Sequence, residues 1–322
     1  MKIISDNEIS EAALCIQNGG LVAFPTETVY GLGANALDPI AVARIFEAKK
    51  RPSFDPLIVH IANIEQIEAL FEQPINHFVY ELAAQFWPGP LTIVHKKSTL
   101  VPALVTSDLN EVAVRMPLHP IANKLIRLAG VPIAAPSANL FGKLSPTSYK
   151  HVVKQNMNID YVIKDDENAN CSVGIESTVV AIEANVCTIL RPGVITANDI
   201  KMAIPALTIA TPTNNIKLHS PGLLKSHYSP SKPLYFWNRN ELLPSKSGLI
   251  LHQRIAGEIK AKILYTSQTE NLLEIASNLF STLHKMEEDD DVAQIYIAKV
   301  SENGIGKAIM DRLKKATHQY KY

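Results

Sequence analysis

Five prolines fall between Pro205 and Pro233, with Thr213, Asn214 and Asn215 among them. Proline fixes φ and removes an amide donor, so neither a helical nor a strand period survives such a stretch. The chain therefore divides into residues 1–205, a linker over 206–232 and a smaller unit over 233–322. A length of 322 residues suits two domains, and a hydrophobic content of 47% supplies both with cores.

The first unit alternates short apolar runs with helical segments. Strands are expected at Leu21–Phe24, Leu57–Ala62, Leu91–Val94, Val112–Met116, Val131–Ala135, Thr178–Ile182 and Val186–Leu190. Asp38-Pro39 starts a helix with an N-cap and a proline at the first position, and Thr196 with Asp199 forms a capping box. No clean strand-helix-strand repeat emerges, which predicts a mixed sheet with helices. In the second unit, strands are expected at Pro233–Trp237, Gly248–His252, Lys262–Tyr265 and Ala293–Val300. A helical stripe runs through Leu272, Ile275, Ala276, Leu279, Phe280 and Leu283, and a last helix covers Gly306–Thr317. That pattern predicts a compact α/β domain with a parallel sheet. The acidic run Glu287–Asp291 reads as a solvated turn, and Arg312, Lys314, Lys315 and Lys321 as a solvated helix face.

Lys plus Arg equals Asp plus Glu at 31, which argues against a dedicated nucleic-acid binder. Three widely spaced cysteines without a CxxC pair fit neither a disulfide framework nor a zinc site, and point to a reducing compartment. The first twenty residues are unlike a signal peptide and no run reaches the length of a membrane span. A cytoplasmic protein without membrane partners is expected.

Several polar residues stand where periodicity expects apolar ones. Lys49 shares a helix face with Val42, Ile45 and Phe46, and Arg51 follows as Pro52 ends the helix. His60 shares a strand face with Ile58 and Ala62, and Arg115 one with Ala113. Taken singly, each has a bland explanation: a snorkelling lysine, a satisfied core histidine, a structural ion pair. Together with Arg191 at a strand end, the cations are expected to line one cavity that takes polyanions. Hydroxyl- and glycine-rich loops at strand ends, Pro25–Gly33, Pro136–Asn139, Ser145–Thr147 and Gly174–Thr178, suit phosphate, ribose or an amino acid, although ordinary turns use the same residues. Neither a GxxxxGK[ST] nor a GxGxxG motif occurs, and spacing supports no Ser-His-Asp or Cys-His set. The residues alone thus indicate an anion-handling α/β enzyme.

The motifs Pro25–Gly33, Lys49–Pro52, Pro56–His60, Pro88–Thr92, Val114–Pro117, Pro136–Asn139, Ser145–Thr147, Glu176–Val179 and Leu190–Gly193 run in the order seen in threonylcarbamoyl-AMP synthases, which the first 205 residues closely resemble. The pairs Lys49/Arg51 and Ser137/Asn139 match that family's signature. Ser220–Gly222, His227–Pro230 and the stretch from Gly304 to Ala316 resemble the linker and C-terminal domain of its two-domain form.

The resemblance implies a large twisted mixed sheet with a concave cavity of YrdC-like type, plus a small Rossmann-like domain. It implies synthesis of threonylcarbamoyl-AMP from L-threonine, bicarbonate and ATP with Mg²⁺, for a tRNA modification. Thr28, His60, Arg115, Ala135 and Ser177 match threonine-binding positions. Arg51, Asp55, Ser137, Ser145, Arg191 and Tyr228 match ATP-binding ones, with Lys49, Arg51, Ser137 and Asn139 as the catalytic tetrad and Tyr228 as a lid. Asp55 stands where the family usually has Asn; a carboxylate beside a triphosphate repels it unless Mg²⁺ or an arginine intervenes. The rival readings are a double-stranded-RNA-binding module of the same fold, which predicts a basic surplus, and a hydrogenase maturation factor, which predicts zinc-finger cysteines. A further partner expected for the C-terminal domain is the transferase that acts next on tRNA.

Overall fold

The computed structural model describes residues 1–165, 171–211, 227–239, 241–255 and 259–318. Of the expected linker, Pro212–Asn215 and Ser220–Gly222 lie outside these residues, as does Lys321. No helix among the described residues is long and apolar enough to cross a membrane.

Eleven strands form one mixed sheet: β1 Lys2–Ile4, β2 Val22–Phe24, β3 Gly31–Asn35, β4 Ile58–His60, β5 Leu91–Lys96, β6 Glu111–Arg115, β7 Ile133–Ala134, β8 Tyr161–Ile163, β9 Thr178–Glu183, β10 Val186–Arg191 and β11 Thr208–Ala210. Their spatial order is β1-β8-β2-β3-β7-β4-β6-β5-β9-β10-β11. All seven expected strands are present. β11 pairs in parallel with β10, so the large sheet reaches into the segment read as linker.

Four strands had not been expected: β1, β3, β8 and β11. Three of them are only three residues long, too short to show a period. β3 is Gly-Leu-Gly-Ala-Asn and reads as a turn. Its glycine has a packing reason, because a Cβ at Gly33 would lie 2.7 Å from both the Phe24 ring and an Ile133 methyl. Gly33→Ala should therefore cost about 1–3 kcal/mol by overpacking; a melting temperature equal to wild type would contradict this.

Helices cover the sheet on both sides. Pro39–Lys49 and His77–Phe86 contribute Val42, Ile45, Phe46, Val79 and Leu82 to the main core. Asp38 caps the first of these by accepting from the amides of Ile40 and Ala41, as its sequence predicted. Ile9–Gln17 and Pro120–Ala129 bury Ile16 and Leu125 in a second core. Ile58, Val94, Ala113, Val179 and Leu190 form a separate small cluster on the central strands.

The second domain is a parallel sheet of β12 Leu234–Phe236, β13 Ser247–Leu251, β14 Lys262–Tyr265 and β15 Gln294–Ile297, in the order β12-β15-β13-β14. The helix Leu272–Glu287 buries its predicted stripe from Ile275 to Leu283, and the last helix is Gly306–Thr317. In the acidic run Glu288, Asp290 and Asp291 are exposed in a turn after the helix, as expected, while Asp289 pairs with Lys262 and accepts from Lys232. One expectation is corrected. Arg312 is not on a solvated face: it is fully buried.

Candidate active site

Parallel pairing of β4 with β6 sets His60 opposite Arg115, so both side chains leave the same face at the strand ends. β7 runs alongside β4 and delivers Ala135, Pro136 and Ser137 to the same rim. A β-bulge in β10 places Arg191 opposite Val179. Without the bulge, Leu190 would hold that position and Arg191 would turn to the other face. These residues line one cavity with Thr28, Arg51, Glu176, Ser177, His227 and Tyr228. Nine of the thirteen predicted site residues thus come together around it. Lys49, Asp55, Ser145 and Asn139 stand behind the wall and act on it through hydrogen bonds and ion pairs.

Arg115 is buried, and three groups fix its guanidinium. Nε donates to Gly89 O at 3.2 Å, Nη1 donates to Thr28 Oγ1 at 2.9 Å, and Nη2 lies 2.6 Å from Glu27 Oε1. Thr28 is itself oriented by Thr26, whose hydroxyl donates to Val29 O at 2.6 Å. His60 stands against Phe24 edge-on, with Nδ1 3.2 Å from Ile58 O. Burial, and then the neighbouring Arg115, push its pKa down to about 3, so the ring is a neutral hydrogen-bonding wall. Ser177 Oγ accepts from Arg191 Nη2 at 3.0 Å and meets Thr92 Oγ1 at 2.7 Å.

The second side of the cavity is cationic. Arg51 donates to Asp55 O and Pro56 O, each at 3.0 Å, and its Nη2 lies 2.8 Å from Asp55 Oδ2. Of the two remedies for a carboxylate at position 55, the arginine is therefore the one built into the fold. Lys49 is 1% exposed. Its ammonium donates to Ser137 O at 2.5 Å and also to Asn139 O, tying the helix end to the Ser137–Asn139 loop. Burial first, and then Arg51, hold the Lys49 pKa well below the ordinary lysine value. Asn139 donates to Leu140 O and Lys143 O, while its Oδ1 is buried without a hydrogen-bond partner. Ser145 Oγ donates to Glu176 Oε1 at 2.5 Å. Tyr228, with φ +62° and 1% exposure, closes the cavity beside His227 and rests against Phe280.

Sequence reasoning gave no role to Glu27, Glu176, Thr92 or Arg312. Glu27 and Glu176 lie inside the quoted motifs, and each is an acid among apolar and hydroxyl residues. The signal for Arg312 was the one used for Lys49, since it shares an inward face with Ala308, Ile309 and Ala316.

Among the described residues, the acids of the cavity do not build a protein-held magnesium site. Glu27 faces Arg115, Asp55 faces Arg51, and Glu176 faces Arg312 and Ser145, so these acids are already neutralised. One trio among the described residues, His151, His284 and Glu288, has ligand-capable atoms within 4.8 Å of one another. Its imidazoles stack at 3.8 Å, so their in-plane lone pairs run side by side rather than converge, and Glu288 is paired with Lys154.

Fold and cavity define a class: two-domain α/β enzymes that enclose anionic reactants in a cationic cavity. Residues 15–193 match the Sua5/YciO/YrdC family, described as telomere recombination, and residues 195–317 match the C-terminal domain of threonylcarbamoyl-AMP synthase. The chain is 42% identical to a threonylcarbamoyl-AMP synthase of Pyrococcus abyssi over 98% of its own length and 95% of the relative's. A Bacillus subtilis protein of the same name is 38% identical over 97% and 93%. The crystal structure of P. abyssi Sua5 with L-threonine superposes with a TM-score of 0.86 at 40% identity, covering 99% of this chain and 98% of that one. The chain belongs to the threonylcarbamoyl-AMP synthase family, in its two-domain form.

Proposed function

We propose that the protein converts L-threonine, bicarbonate and ATP into threonylcarbamoyl-AMP and pyrophosphate, supplying the N6-threonylcarbamoyladenosine modification of tRNA. The observation that carries this reading is that Arg115, beside Thr28, lines the same closed cavity as Arg51 and Arg191. A carboxylate site thus adjoins a phosphate site.

On the threonine side, the Arg115 guanidinium takes the carboxylate through the Nη N–H bonds left over from Thr28 and Glu27, a forked geometry that lysine lacks. Thr28, His60, Ala135 and Ser177 surround the rest of the amino acid. On the nucleotide side, Arg51, Ser137 and Arg191 hold the ATP and Ser145 braces the wall through Glu176, while Lys49 and Asn139 fix the loop carrying Ser137. Asp55 acts through Arg51. Magnesium enters as the MgATP complex, held by the phosphates.

The threonine amine adds to bicarbonate, releasing water and leaving a carbamate. A carbamate oxygen then bonds to the α-phosphorus of ATP as the bond to pyrophosphate breaks. The protein's contribution is proximity and cationic stabilisation, since the hydroxyl–carboxylate pair at the wall, Ser145 with Glu176, is tied down by Arg312. Carbamates and mixed anhydrides hydrolyse readily, so Tyr228 over the cavity keeps water out. The product passes to a tRNA threonylcarbamoyl transferase, in the cytoplasm where ATP and tRNA meet. Gripping double-stranded RNA needs exposed cations, and those of this cavity are buried.

The test is pyrophosphate release from ATP, Mg²⁺ and bicarbonate with and without L-threonine. Release that needs threonine and bicarbonate together is expected. Release indifferent to threonine would sink the reading in favour of another acceptor.

A further inference from the structure

The C-terminal domain is built into the rim of the cavity. Its core takes in four side chains from outside itself, Val29, Leu144, Ile175 and Tyr228, which cluster with residues such as Ile275 and Phe280. Val29 adjoins Thr28, Leu144 adjoins Ser145, and Ile175 adjoins Glu176. Each rim segment is therefore anchored one residue away from a group that faces or braces the cavity. The loop before β9 approaches the helix Leu272–Glu287 so closely that a Cβ at Gly174, where φ is +72°, would sit 2.4 Å from Ser277 O.

Polar contacts reach the same loops. His284 Nε2 lies 3.1 Å from Ser145 O. Arg312, 0% exposed, donates from Nε to Glu176 Oε2 at 2.8 Å, from Nη2 to Glu176 O at 3.3 Å and from Nη1 to Pro192 O at 2.9 Å. Its guanidinium also lies 5.6 Å from the centre of the Tyr228 ring. Glu176 in turn accepts from Ser145 Oγ. Burial opposes the ionised Glu176, yet Arg312 and then Arg191 hold its carboxyl below the usual range. A desolvated arginine persists only where its donors are met, and here they are met by loops of the other domain and, at Nη1, also by the neighbouring Asp311 at 2.8 Å.

We propose that the C-terminal domain forms part of the nucleotide site, with Arg312 as the positioning residue that sets Ser145 and the Arg191 loop through Glu176 and Pro192. "Nucleotide" rests on the synthase reading above; the clamp on the loops is independent of it.

The test uses the full chain with Arg312→Met and Arg312→Lys. In ligand-free Arg312→Met, amide hydrogen exchange over 143–147 and 174–178 should accelerate about tenfold or more, with β1 unchanged. ATP affinity should fall about tenfold and threonine affinity much less, with Arg312→Lys recovering part of the ATP loss. Should Arg312→Met not fold, Glu176→Gln is read in the same way. Unchanged exchange in the two loops overturns the proposal whatever the activity. Equal losses for both ligands, tracking the melting temperature, overturn it as well. A wild-type protein that binds neither ligand refutes the synthase reading, and the exchange comparison still decides the clamp.

Discussion

Arg115→Ala should cut threonine-dependent pyrophosphate release, lowering kcat/KM for threonine by about 10²–10³. Truncating one partner of a buried, hydrogen-bonded charge pair costs about 2–5 kcal/mol, which spans that range. The same substitution strands Glu27, whose carboxylate lies 2.6 Å from Arg115 and is itself buried. Stability should therefore also fall, by about 3–5 kcal/mol. The two effects separate in Arg115→Ala/Glu27→Gln, where the lone charge is gone. That double variant should regain much of the lost melting temperature and none of the activity. Arg115→Lys keeps the charge but cannot reach Gly89 O, Thr28 Oγ1 and Glu27 together, so it should recover little. Threonine-dependent turnover in the double variant would refute the carboxylate role.

Lys49→Met should lower kcat/KM for ATP by about 10²-fold or more, by removing both a cation and the tie to the Ser137–Asn139 loop. Proton counting gives an independent readout. In the free protein the Lys49 pKa is lowered, mainly by burial. Between that value and the ordinary lysine pKa the unfolded chain binds the extra proton, so this residue's contribution to stability rises with pH across that window. Phosphates arriving nearby favour the charged form and raise the pKa again. ATP binding above the lowered pKa should therefore draw up to about one proton from solution. Calorimetric titration in two buffers of different ionisation enthalpy measures that uptake, and Lys49→Met should eliminate it. Uptake that persists in the variant would place the proton elsewhere.

Much of this was legible before any coordinates. The stripe Val42, Ile45, Phe46 and Lys49 is buried as its spacing predicts, and His60 and Arg115 each sit on the strand face that alternation assigned, although only the register of β4 with β6 sets them side by side. What periodicity cannot carry is geometry that breaks the period. The bulge that turns Arg191 into the cavity shifts the register by one residue and leaves no mark on composition. β3 was hidden because glycine's value there is the absence of a Cβ, which a propensity reading takes for a turn. Glu176 and Arg312 are 136 residues apart, and nothing local joins them. Arg312 was misread because a basic helix face is usually wet; only packing shows that this one faces another domain.

The pairing of acids with cations bears on which guest the site suits. Six cationic side chains, Lys49, Arg51, Arg115, Arg191, Arg312 and Lys315, meet four acids, Glu27, Asp55, Glu176 and Asp311, in and behind the cavity wall, a formal surplus of two. Threonylcarbamoyl-AMP carries two negative charges, one on its carboxylate and one on its phosphate. Once pyrophosphate has gone, guest and host cancel. The labile anhydride is then the species whose charge the cavity matches.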